Sequence, residues 1–297
     1  MSEELTHKPK VCIGIITYGK TTEPYLGLFR EALAKQTFRD FQLLVHDNTD
    51  DNVGFGAGYN ILLERARGFG ASYFFIVNPD LILEDKALET LVRELDNNLE
   101  LASVAPKLRR WDFSSNTFSK FIDSCGLKTS FGLGFFDLGQ GQEDLGQYDN
   151  AQIIGPSGAA GLYRIEALEK VSEDNGCFDE NFFMYKEDCD LAYRFYLNNL
   201  KTKLVPQAIG YHDRTATGGA LLDRFRKRRT RSRLVNEWSF TNQHLLFIKY
   251  WRRQNFTGKL GIVIRASLMI LNAILFEQYL FSCYKEIHRL KQNLKRY

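Results

Sequence analysis

The stretch YFFIVNPDLILE, residues 73–84, decides the fold class of this chain. Its first residues are mostly aromatic or β-branched, which predicts a buried strand. Asn78, Pro79 and Asp80 then interrupt the apolar run. Such residues favour turns, so a plain turn is one interpretation. The other is that Asp80 is a carboxylate placed at a strand end to bind a ligand, as a hard oxygen donor suited to Mg²⁺ or Mn²⁺.

Two further apolar segments precede this stretch, at residues 10–18 and 41–46, and both predict strands. Each ends in polar residues, which are Thr17, Tyr18, Asp47 and Asn48. Apolar residues at helical spacing predict helices at residues 23–36, 60–67 and 86–97. This alternation predicts an α/β fold with a Rossmann-like half and a mostly parallel central sheet. Parallel strands bring their carboxyl ends to one edge, where such sheets bind ligands.

Glycine is concentrated in NVGFGAGY, residues 52–59. These glycines follow the second predicted strand, whereas a dinucleotide fingerprint follows the first. The chain also lacks the P-loop pattern G-x-x-x-x-G-K-[ST]. The sequence therefore predicts a nucleotide site without the usual mononucleotide motifs. Asp47 could accept the N3–H of a uracil or thymine ring, or end a plain turn.

Acidic residues cluster in Glu187-Asp188-Cys189-Asp190, at the predicted start of a helix. Favourable interaction with the helix dipole explains such a cluster without any function. The functional interpretation is a general base, because mutual repulsion tends to raise the pKa of at least one carboxyl. His212 precedes a Thr- and Gly-rich segment and is either structural or a second metal ligand on a loop that closes over substrate.

The charge distribution divides the 297-residue chain into two parts. Residues 221–297 hold 17 Lys and Arg against four Asp and Glu, a net charge of +13, and the remainder is net −10. We therefore expect a catalytic domain at residues 1–219 and a basic, amphipathic α-helical region at residues 220–297. The five scattered cysteines argue against disulfides or a zinc site, and the polar first residues against a signal peptide.

The basic region has three interpretations. It could bind an anionic membrane surface, with Phe247, Tyr250 and Trp251 as interfacial anchors. Its helices, predicted at residues 236–250 and 259–284, could instead pack on the catalytic domain or form a homodimer interface. The basic run at residues 224–233 could also contact nucleic acid, which we do not expect to be its role. Polar residues interrupt the second helix, which predicts a helix that lies on a membrane rather than one that spans it.

Several motifs occur in an order that resembles the family 2 glycosyltransferases of the GT-A fold, in particular the bacterial rhamnosyltransferase-like branch. The resemblance covers roughly residues 10–215. The motifs are ITYG, HDNTDDNVGFGAGYN, IVNPDLIL, GPSGAAGLYR, FDENFFMYKEDCDLAYR and YHDRTATG.

The resemblance implies donor-site roles for many of the residues above. The implied contacts to the sugar nucleotide are Thr17, Tyr18, Asp47, Asn48, Gly54, Asn60, Asn78 and Gly158. Asn78-Pro79-Asp80 matches the family's D-x-D position, with Asn78 in place of the first acid. Asp80 and His212 would then hold Mn²⁺ or Mg²⁺ on the donor diphosphate.

The implied reaction is a single inverting displacement, with Asp188 as catalytic base and Glu187 supporting it or contacting the acceptor. The expected donor is dTDP-rhamnose, with UDP-galactofuranose, UDP-glucose and UDP-N-acetylglucosamine as alternatives. The expected acceptor is a polyprenyl-diphosphate-linked glycan of the cell envelope, which implies a cytoplasmic enzyme peripheral to the inner membrane face. A sugar-1-phosphate nucleotidyltransferase is disfavoured because its glycine-rich, Arg-containing loop is missing. A non-catalytic glycosyltransferase-like binding subunit remains the alternative from another class.

Overall fold

A computed structural model describes residues 8–213 and 232–297. Within these two ranges, ten strands form an eight-stranded sheet and a separate hairpin. The strands are β1 Val11–Thr17, β2 Phe41–Asp47, β3 Tyr73–Val77, β4 Leu81–Leu83, β5 Leu101–Asp112, β6 Thr117–Ser124, β7 Leu127–Ser130, β8 Gly134–Asp137, β9 Ala160–Arg164 and β10 Lys201–His212. The α-helices are α1 Gly19–Lys35, α2 Phe55–Gly68, α3 Ala87–Asn97, α4 Ile165–Val171, α5 Glu187–Leu197, α6 Arg233–Tyr250, α7 Phe256–Phe276 and α8 Cys283–Leu290.

The N-terminal half of the sheet has the predicted parallel arrangement. Strand β1 lies between β2 and β3 and runs parallel to both. Its register pairs Thr17 with Asp47. The carboxyl ends of the three strands therefore meet at one edge of the sheet, as the sequence predicted.

The second half of the sheet mixes strand directions. The order is β2-β1-β3-β9-β5-β10-β4, and β6 pairs with β5. Strand β10 runs parallel to β5 but antiparallel to β4, which pairs His212 with Leu81. A register shift between Val205 and Ile209 interrupts the pairing of β10 with β5. The result is the predicted α/β class with antiparallel strands inserted.

Two helices begin earlier than the sequence predicted. Helix α1 starts at Gly19, so Pro24 lies inside it rather than in its first turn. The Tyr18 backbone N–H donates to Thr22 Oγ1 at 2.8 Å, which supports the earlier start. Helix α2 starts at Phe55, within the glycine-rich segment.

The C-terminal helices share a hydrophobic core with the β7–β8 hairpin and α5. Phe247 and Tyr250 are buried in this core, so the prediction that they anchor the chain in a membrane is wrong. Their aromatic rings pack in the core shared with α5 and the β7–β8 hairpin instead. Trp251 remains exposed. The basic run at residues 224–233 and the predicted boundary near residue 220 fall largely or wholly outside the described residues.

Helix α7 has a composition unlike that of the other helices. It spans 21 residues with a mean hydropathy of 1.8 in its most apolar window, of which 17% is buried. By length and composition alone it could cross a membrane. The polar residues within this segment leave it long and apolar enough to be a candidate membrane span.

Candidate active site

Asp80 and His212, the two predicted metal ligands, lie side by side. Antiparallel pairing of β4 with β10 brings His212 next to the turn that carries Asp80. His212 Nε2 lies 3.3 Å from Asp80 Oδ1. On its other side, His212 Nδ1 bonds Asp123 Oδ2 at 2.8 Å. Burial alone would lower the pKa of His212, but the carboxylates of Asp80 and Asp123 raise it to about 10.

This pair fits a divalent cation. Asp80 Oδ1 is buried and faces His212 Nε2, with no hydrogen bond to any other described donor, so a divalent cation that replaces the imidazole proton would find an oxygen acceptor here. The bond to Asp123 fixes the imidazole ring, as carboxylates do for metal-bound histidines. Among residues 8–213 and 232–297, no group of three His, Cys, Asp or Glu side chains could hold a metal unaided. A cation here would need oxygens from substrate and water, which is the usual coordination of Mg²⁺.

Sequence reasoning missed two carboxylates at this site. Asp123 is fully buried on β6, and only the pairing of β6 with β5 brings it to His212. The sequence did offer one indication of a buried carboxylate, because Asp123 directly follows the apolar residues Phe121 and Ile122. Asp213 is also buried, and its Oδ2 accepts a 2.6 Å hydrogen bond from Tyr25. Its backbone N–H donates to Asp80 O at 3.1 Å, which ties the end of β10 to the Asp80 turn.

The predicted nucleoside contacts form a polar row at the sheet edge. Thr17 Oγ1 donates to Asp47 Oδ1 at 3.1 Å, and the Thr49 backbone N–H donates to the same oxygen. Hydrogen bonds from Thr49 and Thr17 lower the pKa of Asp47, so it is an ionised acceptor at neutral pH. Tyr18 directly follows β1 at this edge, and its side chain is half-exposed. Asn48 is buried, and its Nδ2 donates to Gly54 O at 3.1 Å.

Gly54 and Asn60 hold a loop rather than facing open space. Gly54 has φ 89°, and a Cβ there would overlap the Phe183 carbonyl oxygen. Phe55 N–H donates to that same oxygen at 2.9 Å. The Asn60 amide is occupied by the loop at residues 175–180, for example by Phe178 O at 2.9 Å and Phe178 N–H at 2.9 Å. Both polar atoms of the Asn60 side chain are thus bonded to protein, and a contact of Asn60 with the donor stays a prediction.

A strained turn delivers the candidate base. Tyr185 and Lys186 both have positive φ, 70° and 75°, which is costly for non-glycine residues. Asn242 of α6 holds this turn, because its Nδ2 donates to Met184 O at 2.8 Å and Tyr185 O at 2.6 Å. The C-terminal helices thereby fix the point at which α5 starts.

Asp188 lies at the first turn of α5, against the start of β9. Its Oδ2 accepts the Gly158 N–H at 3.0 Å, and its Oδ1 accepts the Cys189 N–H at 2.7 Å. A Cβ at position 158 would come within 3.2 Å of Asp188 Oδ2, so glycine permits this close approach. Asn78 N–H donates to Ala159 O at 2.9 Å. The turn that carries Asp80 and the helix that carries Asp188 thus flank the start of β9.

Glu187 differs from its neighbour in exposure. It is buried, and burial together with the charge of Asp188 raises the pKa of Glu187 well above the usual range for a carboxyl. The buried Oε2 has no partner within the described residues. Burial and the neighbouring charge thus favour the neutral form of the Glu187 carboxyl over the carboxylate.

A buried charge cluster joins α5 to the C-terminal helices. Lys249 Nζ is fully buried and donates to Glu173, Asp179 and Asp190 at 2.8, 2.7 and 3.1 Å. Arg194 Nε donates to Asp190 Oδ2 at 2.9 Å. Despite burial, which opposes ionisation, these two cations keep the pKa of Asp190 low. The cluster fixes helix α5, and with it Asp188, against α6.

A cavity of about 680 Å³ opens beside Asp188. Its walls come from the β7–β8 hairpin, the start of α5, and helices α6 and α7. This volume lies within the range of about 300–1,000 Å³ that is typical of ligand pockets. The C-terminal helices thus form one wall of the space that Asp188 faces, which the sequence did not predict.

Comparison with curated proteins gives one informative relative. No family model matches the chain. Rhamnosyltransferase WbbL of Escherichia coli (strain K12) is 28% identical over 165 residues, which is 54% of this chain and 60% of WbbL. The chain therefore matches less than two thirds of that relative's length.

Solved structures share the fold at low sequence identity. The crystal structure of S. aureus TarS 1-349 has a TM-score of 0.50 and 16% identity, covering 95% of this chain and 80% of that one. GalNAc-T7, solved with UDP, GalNAc and Mn²⁺, has a TM-score of 0.51 and 9% identity, covering 80% of this chain and 51% of that one. The chain is therefore similar to a rhamnosyltransferase over about half of its length, and it shares its fold with these two structures.

Proposed function

We propose that the chain is an inverting, metal-dependent glycosyltransferase that transfers a hexose from a nucleotide sugar to a hydroxyl of a cell-envelope glycan acceptor. The observation that carries this proposal is the arrangement around the start of β9. A cation-binding pair, Asp80 and His212, lies on one side, and a carboxylate base, Asp188, lies on the other. Both face the edge at which the parallel strands end.

Asp188 takes the proton from the acceptor hydroxyl as that oxygen attacks the anomeric carbon. Backbone N–H donors hold both carboxylate oxygens, so the group is oriented before the acceptor arrives. Attack from the side of Asp188 and departure of the nucleoside diphosphate on the opposite side invert the anomeric centre. No covalent intermediate with the enzyme is needed.

Asp80 and His212 would hold Mn²⁺ or Mg²⁺, which when bound stabilises negative charge on the diphosphate leaving group. Asp123 keeps the His212 ring oriented toward Asp80. The GT-A fold accommodates UDP, GalNAc and Mn²⁺ in GalNAc-T7, which agrees with this assignment.

The donor we propose first is dTDP-rhamnose. Its support is the similarity to rhamnosyltransferase WbbL and the motif resemblance to that branch. Asp47, ionised and exposed, accepts the ring N3–H of thymine or uracil equally well, so these contacts do not discriminate dTDP-sugars from UDP-sugars.

We also propose that helix α7 lies in the surface of an anionic membrane, where a polyprenyl-diphosphate-linked acceptor would be found. None of the exposed side chains of α7 is charged. The large ones are Phe256, Leu260, Val263, Ile264, Leu268, Leu271, Ile274, Leu275 and Phe276. Cations follow on neighbouring segments, at Arg252, Arg253, Lys285 and Arg289. An apolar face bordered by basic residues suits an interfacial helix.

Vesicle flotation tests the membrane proposal. The wild-type protein should float with phosphatidylglycerol-containing vesicles, and Leu268→Glu with Leu271→Glu should abolish flotation. Leu99→Glu with Leu145→Glu is the matched control, because these leucines are 81% and 77% exposed elsewhere on the surface. Undiminished flotation of the α7 variant would contradict the proposal. The proposal would also be contradicted if the wild-type protein did not bind vesicles but formed a dimer, and the α7 variant were monomeric. A second copy of the chain would then cover this face.

A donor panel tests the catalytic proposal. Melting temperature and donor hydrolysis are measured with dTDP-rhamnose, UDP-glucose, UDP-N-acetylglucosamine and UDP-galactofuranose, each with Mn²⁺, Mg²⁺ or chelator. A ligand that binds the native state raises the melting temperature according to its affinity. We expect a metal-dependent preference for dTDP-rhamnose. Preference for a UDP-sugar would replace the donor, and no response to any sugar nucleotide would favour a non-catalytic binding protein.

A further inference from the structure

We propose that the cavity beside Asp188 binds an acceptor that carries an oxyanion, a phosphate or a carboxylate, near its reacting hydroxyl, with Arg265 of α7 as the main recognition residue. This proposal rests on the proposed function, because it assigns the acceptor side of that reaction. Arg265 and Asp188 line the same cavity from opposite elements, α7 and α5. An acceptor within the cavity can therefore reach both.

Arg265 is a cation without a described counter-charge. One guanidinium nitrogen, Nη2, donates to Ser130 Oγ at 3.1 Å and to Phe131 O at 3.0 Å. Its Nε is buried and has no partner within the described residues. No carboxylate of residues 8–213 or 232–297 lies within 4.0 Å of the guanidinium, whereas buried Arg194 and Lys249 both have such partners.

The hairpin is shaped to receive this side chain. Gly134 lies against the guanidinium, and a Cβ at that position would overlap Arg265 Nη2. Gly132 packs in the same way against the backbone of Gly261, one turn earlier on α7. Burial lowers the pKa of Arg265, and nothing else described near it raises the pKa. Arg265 is partly buried, and an anion paired with it would offset the cost of removing its charge from water.

A second cation faces the same cavity. Lys186 lines it from the strained turn before α5 and makes no ion pair among the described residues. Gln243 and Gln140 add amide groups, while Phe135 and Phe136 supply apolar surface. The planar fork of an arginine fits phosphate and carboxylate groups with two parallel hydrogen bonds, and a lysine adds a point charge. The carboxylates of Asp137 and Asp188 also line the cavity, so the oxyanion of an acceptor would lie on the side of Arg265 and its hydroxyl on the side of Asp188.

The experiment compares three alkyl glycosides of one sugar by calorimetry, with chelator present so that the donor site does not bind the probe through a metal. One is neutral, one carries a diphosphate ester and one is the corresponding uronic acid. Wild-type protein should bind at least one anionic probe more tightly than the neutral probe. Preference between the diphosphate and the uronate identifies the source of the oxyanion.

Variants then assign the binding to Arg265. Arg265→Gln should weaken anionic-probe binding about 10- to 100-fold, the loss expected for a charge-assisted hydrogen bond, and leave neutral-probe binding unchanged. Arg265→Lys should weaken it less, and Lys186→Asn, which tolerates positive φ, should weaken it modestly. Lys259→Gln, on the same helix but outside the cavity lining, is the control. Melting temperatures show whether each variant is folded.

Equal affinity of wild-type protein for neutral and anionic probes would overturn the proposal, as would an Arg265→Gln protein that binds like wild type. Failure of the catalytic proposal is recognised separately. In that case the wild-type protein shows no metal-dependent response to any sugar nucleotide, whatever the acceptor probes do.

Discussion

The donor edge and the acceptor wall of the site are built in different ways. The donor edge consists of short strand ends, at Thr17, Asp47 and Asp80, that are brought together by parallel neighbours. The proposed acceptor wall joins a hairpin and α5 to helices that begin only at Arg233, through Asn242 and Lys249. The residues of the donor edge are thus positioned by neighbouring strands of the N-terminal half alone. The position of Asp188 depends in addition on the C-terminal helices.

We expect Lys249→Met to have the largest effect, a loss of stability where α5 is held to the C-terminal helices. The substitution leaves Asp179, Asp190 and Glu173 buried with Arg194 as their main remaining counter-charge. Removing one partner from such a buried pair costs about 3–5 kcal/mol. Urea denaturation should show this loss in the free energy of unfolding.

The control for this experiment is Lys285→Met, which alters an exposed lysine of α8. It should change stability by no more than about 0.5 kcal/mol, as for other surface substitutions. If the two variants were equally stable, the C-terminal helices would not be held to α5 by this cluster.

Asn242→Ala should have a smaller effect on stability and a selective effect on turnover. It removes two hydrogen bonds from carbonyls of a strained turn and costs about 1–3 kcal/mol. Because the turn positions Asp188, the turnover number for donor hydrolysis should fall while the KM for donor stays unchanged. Asn293→Ala, at an exposed position, is the matched control. A change in KM alone would show that the turn serves the donor edge instead.

Glu187→Gln should have the smallest effect, and its sign depends on pH. The raised pKa of Glu187 means that the folded protein keeps this proton after the unfolded chain loses it, above about pH 4.3. The wild-type protein therefore loses stability as pH rises from that value toward the folded pKa. Glutamine does not titrate, so the melting temperature of the variant relative to wild type should increase from pH 5 to pH 8, by about 2–4 °C for each kcal/mol. A constant difference across this range would show that Glu187 is ionised in the folded protein.

The donor edge was predictable from the sequence for a physical reason. Each strand is a run of apolar residues that ends abruptly in a polar group, and parallel packing then sets the edge at which those groups meet. Asp80 and His212 could be named in this way. Asp123 could not, because its place beside His212 depends on the pairing of β6 with β5.

The acceptor wall was not predictable because helical apolar spacing does not say what a helix packs against. The spacing in residues 236–250 fits membrane contact and core packing equally, and burial of Phe247 and Tyr250 decides for packing. Lys249 within this apolar run was the available signal, since a lysine there requires buried partners. Asn60 shows a limit of motif matching. The match identified the residue but did not show that its side chain bonds to a loop of the protein.

The central claim is that Asp80 serves the donor and Asp188 serves the chemistry. The most direct measurement is donor affinity by calorimetry together with metal-dependent donor hydrolysis, for wild type, Asp188→Asn and Asp80→Asn. We predict that Asp188→Asn keeps metal-dependent donor binding but loses about 10²- to 10⁴-fold in hydrolysis, whereas Asp80→Asn loses both. Hydrolysis at the wild-type rate by Asp188→Asn, or unchanged metal-dependent binding by Asp80→Asn, would contradict the account.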